Sequence, residues 1–284
     1  MSGASSTTWI LRIQRWAEDE PNVRLALLVG SQARAEMPAD SLSDIDLALF
    51  ARHPDRILRD ESWISGLGSY WTSHLEGNAL ESGEERRVLF EDGQDVDFAV
   101  FPMEFLGALT NDPRAATVLR RGFRPLVNKD SVEIIVPRNE PPSVPPSLSE
   151  FSNLVNDYWF HLVWTAKKLR RGELLTALEA TNGYLRQLLV SIVRWHALAR
   201  GPKGRDLWHG ARFFESWADP RVLRDFAGTV ALYDAPSVAR ALRANRAMFS
   251  LLSHELSQSL SFPPPIRDEL GLSGYLDRLI DPTR

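Results

Sequence analysis

Two periods of apolar spacing divide this chain. Trp9, Ile10, Ile13, Trp16 and Ala17 recur at helical spacing, which predicts a first amphipathic helix ended by Pro21-Asn22. Val23 to Val29 is a compact apolar run closed by Gly30-Ser31. It is too short for a buried helix and reads as a central strand. A polar loop leads to a second strand from Ile45 to Phe50, and residues 55–66 carry a helical pattern. Arg87–Phe90 and Val96–Phe101 are apolar strands separated by Glu91-Asp92-Gly93-Gln94, a strong hairpin signal. Pro102 opens a short helix with Met103, Leu106 and Leu109 on one side, and a last strand spans Phe123 to Val127.

The pattern changes at PRNEPPSVPP, residues 137–146, which can continue neither a helix nor a central strand. Beyond it everything is helical in period. One helix capped by Ser149 runs through Leu169, and Gly172 separates it from a second that runs through Ala199 and ends at Gly201-Pro202. Shorter helices are predicted at 207–217 and 220–230, and a long one from Ser237 to Leu260, stopped by Pro263–Pro265. The expected organisation is an α+β domain over residues 1–136, a proline-rich linker over 137–148 and an all-helical bundle over 149–284.

Composition narrows the function classes. The hydrophobic content of 44% and charge content of 25% are those of a globular protein. No apolar run reaches spanning length and the N-terminus has no signal-peptide pattern, so a cytoplasmic, membrane-free protein is expected. The absence of cysteine removes disulfides, thiolate metal sites and cysteine nucleophiles. A net charge of -4 lacks the basic surplus of a protein that grips nucleic-acid backbone, and suits a cationic ligand.

The chemistry concentrates around GSQARAEMPADSLSDIDLALF, which starts at Gly30. Side chains alternate along a strand, so Asp44 and Asp46 point to one face, about 7 Å apart along the chain. Two carboxylates at a sheet mouth are hard oxygen ligands of the kind magnesium takes, with phosphate oxygens completing its shell. Gly30 lets backbone approach a phosphate, and Ser31 offers a hydroxyl and an N–H. Asp97 begins a later strand; if that strand neighbours the second, it completes a three-carboxylate site able to serve phosphoryl chemistry. Each feature alone is commonplace, whereas the combination is specific. No Gly-Lys-Ser/Thr follows Gly30-Ser31, so this is no Walker loop, and no Gly-x-Ser-x-Gly elbow makes Ser31 a nucleophile.

This constellation resembles the nucleotidyltransferase superfamily with the polymerase-β-like fold. RVLFEDGQDVDFAVFP (Arg87–Pro102) and FSNLVNDYWFHLVWTAKKLRRGEL (Phe151–Leu174) resemble segments of the aminoglycoside 6-adenylyltransferase, or streptomycin adenylyltransferase, family. Arg186 and Trp195 fall where that family has an Arg and a Trp, and the resemblance extends to about Trp195. It implies a mixed sheet in the first domain and transfer of AMP from ATP to a hydroxyl of a streptomycin-like aminoglycoside, releasing pyrophosphate and conferring antibiotic resistance. Gly30 and Ser31 would then hold the ATP phosphates, Asp44 and Asp46 would bind Mg2+, and Asp97 would be a metal ligand or the general base.

On the helix after the linker, Lys167 is a candidate triphosphate contact, set against its reading as a solvated helix-end lysine. Trp159 is a candidate wall of the acceptor pocket, although helix aromatics are usually core. Asp157, Glu179 and Glu85 are candidates to receive a small cationic hydroxylated acceptor, although on pattern alone each reads first as a surface acid. The six histidines show no ligand spacing. Two further readings stand beside the leading one. The first is the same transfer onto a protein, an RNA end or another small molecule. The second is a non-catalytic nucleotide-binding partner protein, against which the intact Asp44, Asp46 and Asp97 argue, since unmetallated carboxylates repel one another. The long apolar helices can pair within one chain or between two, so monomer and homodimer both remain open.

Overall fold

A computed structural model describes residues 5–78, 83–109, 113–136, 144–202 and 207–281. The chain divides into two compact units, Met1–Glu140 and Pro141–Arg284. Most of the proline-rich stretch, residues 137–143, lies outside the described residues.

The first unit is built on a six-stranded sheet. Helix α1 (Ser6–Asp19), capped by Ser5, precedes β1 (Val23–Val29) and β2 (Ile45–Ala51). Short helices α2 (Pro54–Leu58) and α3 (Ile64–Leu67) lead to β3 (Tyr70–Gly77), β4 (Glu84–Phe90) and β5 (Asp95–Pro102). Helices α4 (Phe105–Leu109) and α5 (Pro113–Arg121) and strand β6 (Arg124–Asn128) complete the unit. The strand order is β3-β4-β5-β2-β1-β6, with β2 and β5 parallel and the other neighbours antiparallel. The sheet is therefore mixed, as the resemblance implied.

Both faces are covered, which explains the near-continuous apolar character of β1 and β2. On one face Trp9, Ile10, Ile13 and Ala17 of α1 pack with Ile57, Leu58, Ile64 and Leu67. Trp9 lies 4.2 Å from Phe90 between ring centres, and Trp16 stacks on Trp63 at 4.5 Å. On the other face Leu25, Leu27, Val29, Phe50 and Phe101 meet Ala115 and Leu119 of α5.

Three local departures from the sequence pattern have physical causes. The helix expected over 55–66 is two short pieces, because the Asp60 carboxylate accepts from Ser62 N–H at 2.8 Å and turns the chain between them. Strand β3 is absent from the apolar pattern because it is an edge strand with mostly solvated side chains. Helix α5 adds a second element where one short helix was expected; its nine residues are a shorter stretch than helical spacing needs to stand out.

The second unit is helical. Helix α6 (Leu148–Arg170) starts from a reciprocal capping box, with Ser147 and Glu150 each bonding the other's backbone N–H, so Ser147 and not Ser149 is the cap. The expected helix through Ala199 is interrupted. Helix α7 (Leu174–Glu179) passes through a π-helical turn, Ala180–Leu185, into α8 (Arg186–Arg200). The Thr181 hydroxyl donates to the Ala177 carbonyl at 2.7 Å within that widened turn. No single helix forms over 207–217, where Trp208, Ala211 and Phe213 have positive φ; α9 spans only Phe214–Trp217. Helix α10 (Pro220–Asp225), a 3-10 turn at Phe226–Thr229, α11 (Ala235–Ser259) and α12 (Glu269–Ile280) follow. Tyr158 stacks on Phe249 at 3.6 Å, and Asn245 accepts from its hydroxyl at 3.2 Å while donating to the Thr229 carbonyl at 2.7 Å. Among the described residues no helix is long and apolar enough to cross a membrane.

Candidate active site

The parallel pairing of β2 and β5 sets Asp46 opposite Asp97. Asp44 lies two residues before Asp46, at the entry to β2, and so projects on the same side. One carboxylate oxygen from each of the three lies within 4.8 Å of the others. All three are half-buried. The condition set by the sequence, that the strand of Asp97 neighbour that of Asp46, is met by direct pairing.

The Gly30–Ser31 turn closes one side of this cluster. Gly30 has φ +66, and a Cβ built on it would fall 1.9 Å from Asp46 Oδ2. Only a residue without a side chain allows this approach of backbone to carboxylate. The tight turn Gly30–Gln32 is held by Ala33 and Arg34 N–H groups, both donating to the Gly30 carbonyl at 3.2 Å. Ser31 is 5% exposed, and its hydroxyl has no hydrogen-bond partner among the described residues. A buried hydroxyl left unsatisfied is costly, and a bound oxyanion beside it would relieve that cost.

On the other side of Asp97 the β4–β5 hairpin pairs it with Arg87. Arg87 Nη2 lies 3.3 Å from Asp97 Oδ2, while its Nε donates to Glu85 at 2.7 Å and lies 2.9 Å from Glu76. Glu85, one of the acceptor candidates, is buried on the same face of the sheet, and burial raises its pKa against the opposing pull of Arg87. Asp97 is pushed up to about 6, chiefly by burial, with Arg87 opposing and Glu85, Asp44 and Asp95 adding repulsion. Arg87 was not singled out in the sequence, although counting outward from the Asp92-Gly93 turn pairs it with Asp97.

That raised value has a measurable consequence. A carboxyl whose folded pKa exceeds its unfolded one binds more protons when folded, so stability falls as pH rises from about 4 to about 6. Asp97→Asn is expected to stabilise the metal-free protein at pH 8 by roughly 1–3 kcal/mol, a gain that vanishes below about pH 4. Thermal melts in chelator across that range measure it; equal midpoints at pH 8 would refute it.

In the helical unit the remaining candidates have different surroundings. Asp157 Oδ1 is 2.6 Å from His161 Nδ1, and its Oδ2 accepts from the Tyr184 hydroxyl at 2.8 Å. The His161 and Tyr184 rings are 4.5 Å apart, and Tyr184 belongs to the π-helical turn. Lys167 is exposed in the last turn of α6, its ammonium 5.7 Å from the ring centre of Tyr275. Glu179 is exposed at the end of α7. Trp159 is 2% exposed inside the helical core.

A mixed sheet carrying a Gly-Ser turn, Asp-x-Asp on one strand and a third carboxylate on its parallel neighbour defines a nucleotidyltransferase. The profile of the streptomycin adenylyltransferase family matches residues 5–279; the chain belongs to that family and is an adenylyltransferase. It is 22% identical over 272 residues to an aminoglycoside 6-adenylyltransferase of Bacillus subtilis (strain 168), covering 92% of this chain and 93% of that one. It is 21% identical over 280 residues to an aminoglycoside 6-adenylyltransferase of Campylobacter jejuni, covering 94% and 92%. The crystal structure of an aminoglycoside 6-adenyltransferase from Bacillus subtilis aligns over 96% of this chain and 97% of its own at 17% identity, with a TM-score of 0.47.

Proposed function

We propose that the protein transfers AMP from ATP to a hydroxyl of a streptomycin-like aminoglycoside, with antibiotic resistance as the consequence. The observation that carries the reading is the convergence of Asp44, Asp46 and Asp97 beside an unsatisfied buried hydroxyl, on a chain of this family. The donor set is three hard carboxylates, which fits Mg2+. When bound, the ion neutralises phosphate charge and acidifies the acceptor hydroxyl.

The chain supplies the rest. Gly30 lets the turn backbone approach the phosphates, and the Ser31 hydroxyl donates to a phosphate oxygen. Asp97 shares the metal-binding face and is assigned either as a metal ligand or as the base that takes up the acceptor's hydroxyl proton. The hydroxyl oxygen bonds to the α-phosphorus as the bond to the bridging β-phosphate oxygen breaks, and pyrophosphate leaves. Glu85 of the first unit is assigned to a cationic group of the acceptor. Within the helical unit, Asp157 and Glu179 are the candidates for cationic groups and Lys167 is the candidate for phosphate. Trp159 supports the helix that carries Asp157 and Lys167 from within the core.

Pyrophosphate release from ATP and Mg2+ with an acceptor panel led by streptomycin is the direct test. Release that requires the aminoglycoside supports the reading, and release with none of the panel rejects the acceptor class. Lys167→Ala is expected to raise the KM for ATP roughly five- to ten-fold with kcat and the acceptor KM little changed, the pattern of a lost charge-assisted contact to phosphate. Initial-rate kinetics with each substrate varied decide it, and an unchanged KM for ATP removes Lys167 from the site.

A further inference from the structure

Arg87 adjoins the carboxylate cluster, and the chemistry above leaves it unused. Its charge cannot be titrated away in the working range, so it is a fixed cation at a place that divalent metal would also make positive. Its two edges do different things. The Nε edge is anchored outside the cluster by Glu85 at 2.7 Å and Glu76 at 2.9 Å. The Nη2 edge reaches inward to Asp97 at 3.3 Å, a looser contact. The side chain is 43% exposed, so the inward edge has room to turn while the Nε edge holds.

We propose that Arg87 is a built-in counter-cation for Asp97 that weakens binding of a free divalent ion and so couples metal binding to arrival of the nucleotide. The inference rests on the metal assignment made above. Without metal, three carboxylates within 4.8 Å of one another repel, and the guanidinium offsets part of that repulsion. A bare divalent ion must enter against the guanidinium charge. An ion carried by a triphosphate enters with net negative charge, and the inward edge of Arg87 can turn from Asp97 toward phosphate oxygens, which match its donor geometry. Arg87 is thus a positioning residue acting through Asp97.

The test is Mn2+ binding by the intact protein at pH 8, read from the electron paramagnetic resonance signal of free ion. Arg87→Met removes the charge. Arg87→Met with Glu85→Gln does so without stranding a buried carboxylate, and Arg87→Lys keeps the charge. Without nucleotide, Arg87→Met is expected to bind Mn2+ roughly three- to ten-fold more tightly than wild type or Arg87→Lys, and the double variant, which also loses the more distant Glu85 carboxylate, to tighten by less. The gap should shrink as salt rises from about 0.05 to about 0.5 M, because it is a screened charge effect. With a non-hydrolysable ATP analogue present the gap should close or reverse. Mn2+ binding that is unchanged or weaker in both variants without nucleotide would overturn the proposal and leave Arg87 as a prop for Glu85 and Asp97. Asp46→Asn, run alongside, reads the metal site itself: Mn2+ binding equal to wild type there would sink the metal assignment, and the coupling with it.

Discussion

Asp46→Asn is expected to abolish adenylyl transfer, by on the order of 10³-fold or more, while the protein stays folded. Asp46 is central to the cluster in three independent ways. It pairs with Asp97 across the β2–β5 ladder, shares a side of the strand with Asp44, and is the carboxylate against which Gly30 is fitted. Replacing one carboxylate oxygen by an amide removes a ligand and a unit of negative charge at once. Losing several kcal/mol of transition-state charge stabilisation corresponds to a loss of this size, at one decade per 1.36 kcal/mol. The fold should survive because the amide is isosteric and the change relieves like-charge repulsion. Circular dichroism and the thermal midpoint should match or exceed wild type in chelator, while pyrophosphate release disappears. Turnover within ten-fold of wild type in a folded variant would remove Asp46 from the metal site.

The candidate site was largely legible because its residues are local in sequence. Gly30-Ser31 follows a strand directly, and Asp44, Asp46 and Asp97 each mark a strand entry, so the site needed only one long-range fact, the adjacency of β2 and β5. That adjacency is a parallel pairing across a crossover holding α2, α3, β3 and β4, and no period in the sequence encodes it. Arg87 illustrates the same limit on a smaller scale. Its apolar neighbours mark a strand, but its place beside Asp97 comes from registration, which hairpin counting gives and strand periodicity does not. Lengths of helices failed where side chains compete with the ladder. Thr181 bonds back to Ala177 in the π-helical turn, and residues with positive φ break the stretch before α9. Trp159 has the spacing of the exposed Asn156 and Lys167 yet lies in the core, because spacing places a side chain on a stripe and cannot say how far the neighbouring helices cover it.

Gly30→Ala is expected to lower turnover at least 100-fold and to cost a few degrees of thermal stability, whereas Gly93→Ala should cost stability alone. Both glycines have left-handed φ, +66 and +91, so an L side chain at either adds a conformational penalty of about 1–2 kcal/mol. For a chain of this size each kcal/mol lowers the midpoint by about 2–4 °C. The surroundings separate them. A methyl at Gly93 would meet nothing within 4 Å, because it sits at the open tip of the β4–β5 hairpin. A methyl at Gly30 would fall 1.9 Å from Asp46 Oδ2 and 2.7 Å from its Cγ, far inside contact distance, so either the turn or the carboxylate must move. Moving the turn displaces the Ser31 hydroxyl; moving the carboxylate opens the three-acid cluster. A shift of even 1 Å at a reacting centre is enough for a 100-fold loss. Melting curves and initial rates for the two variants make the comparison. Equal activity in both would mean that the Gly30 turn is only a bend in the chain, and would detach the phosphate-binding role from Gly30 and Ser31 together.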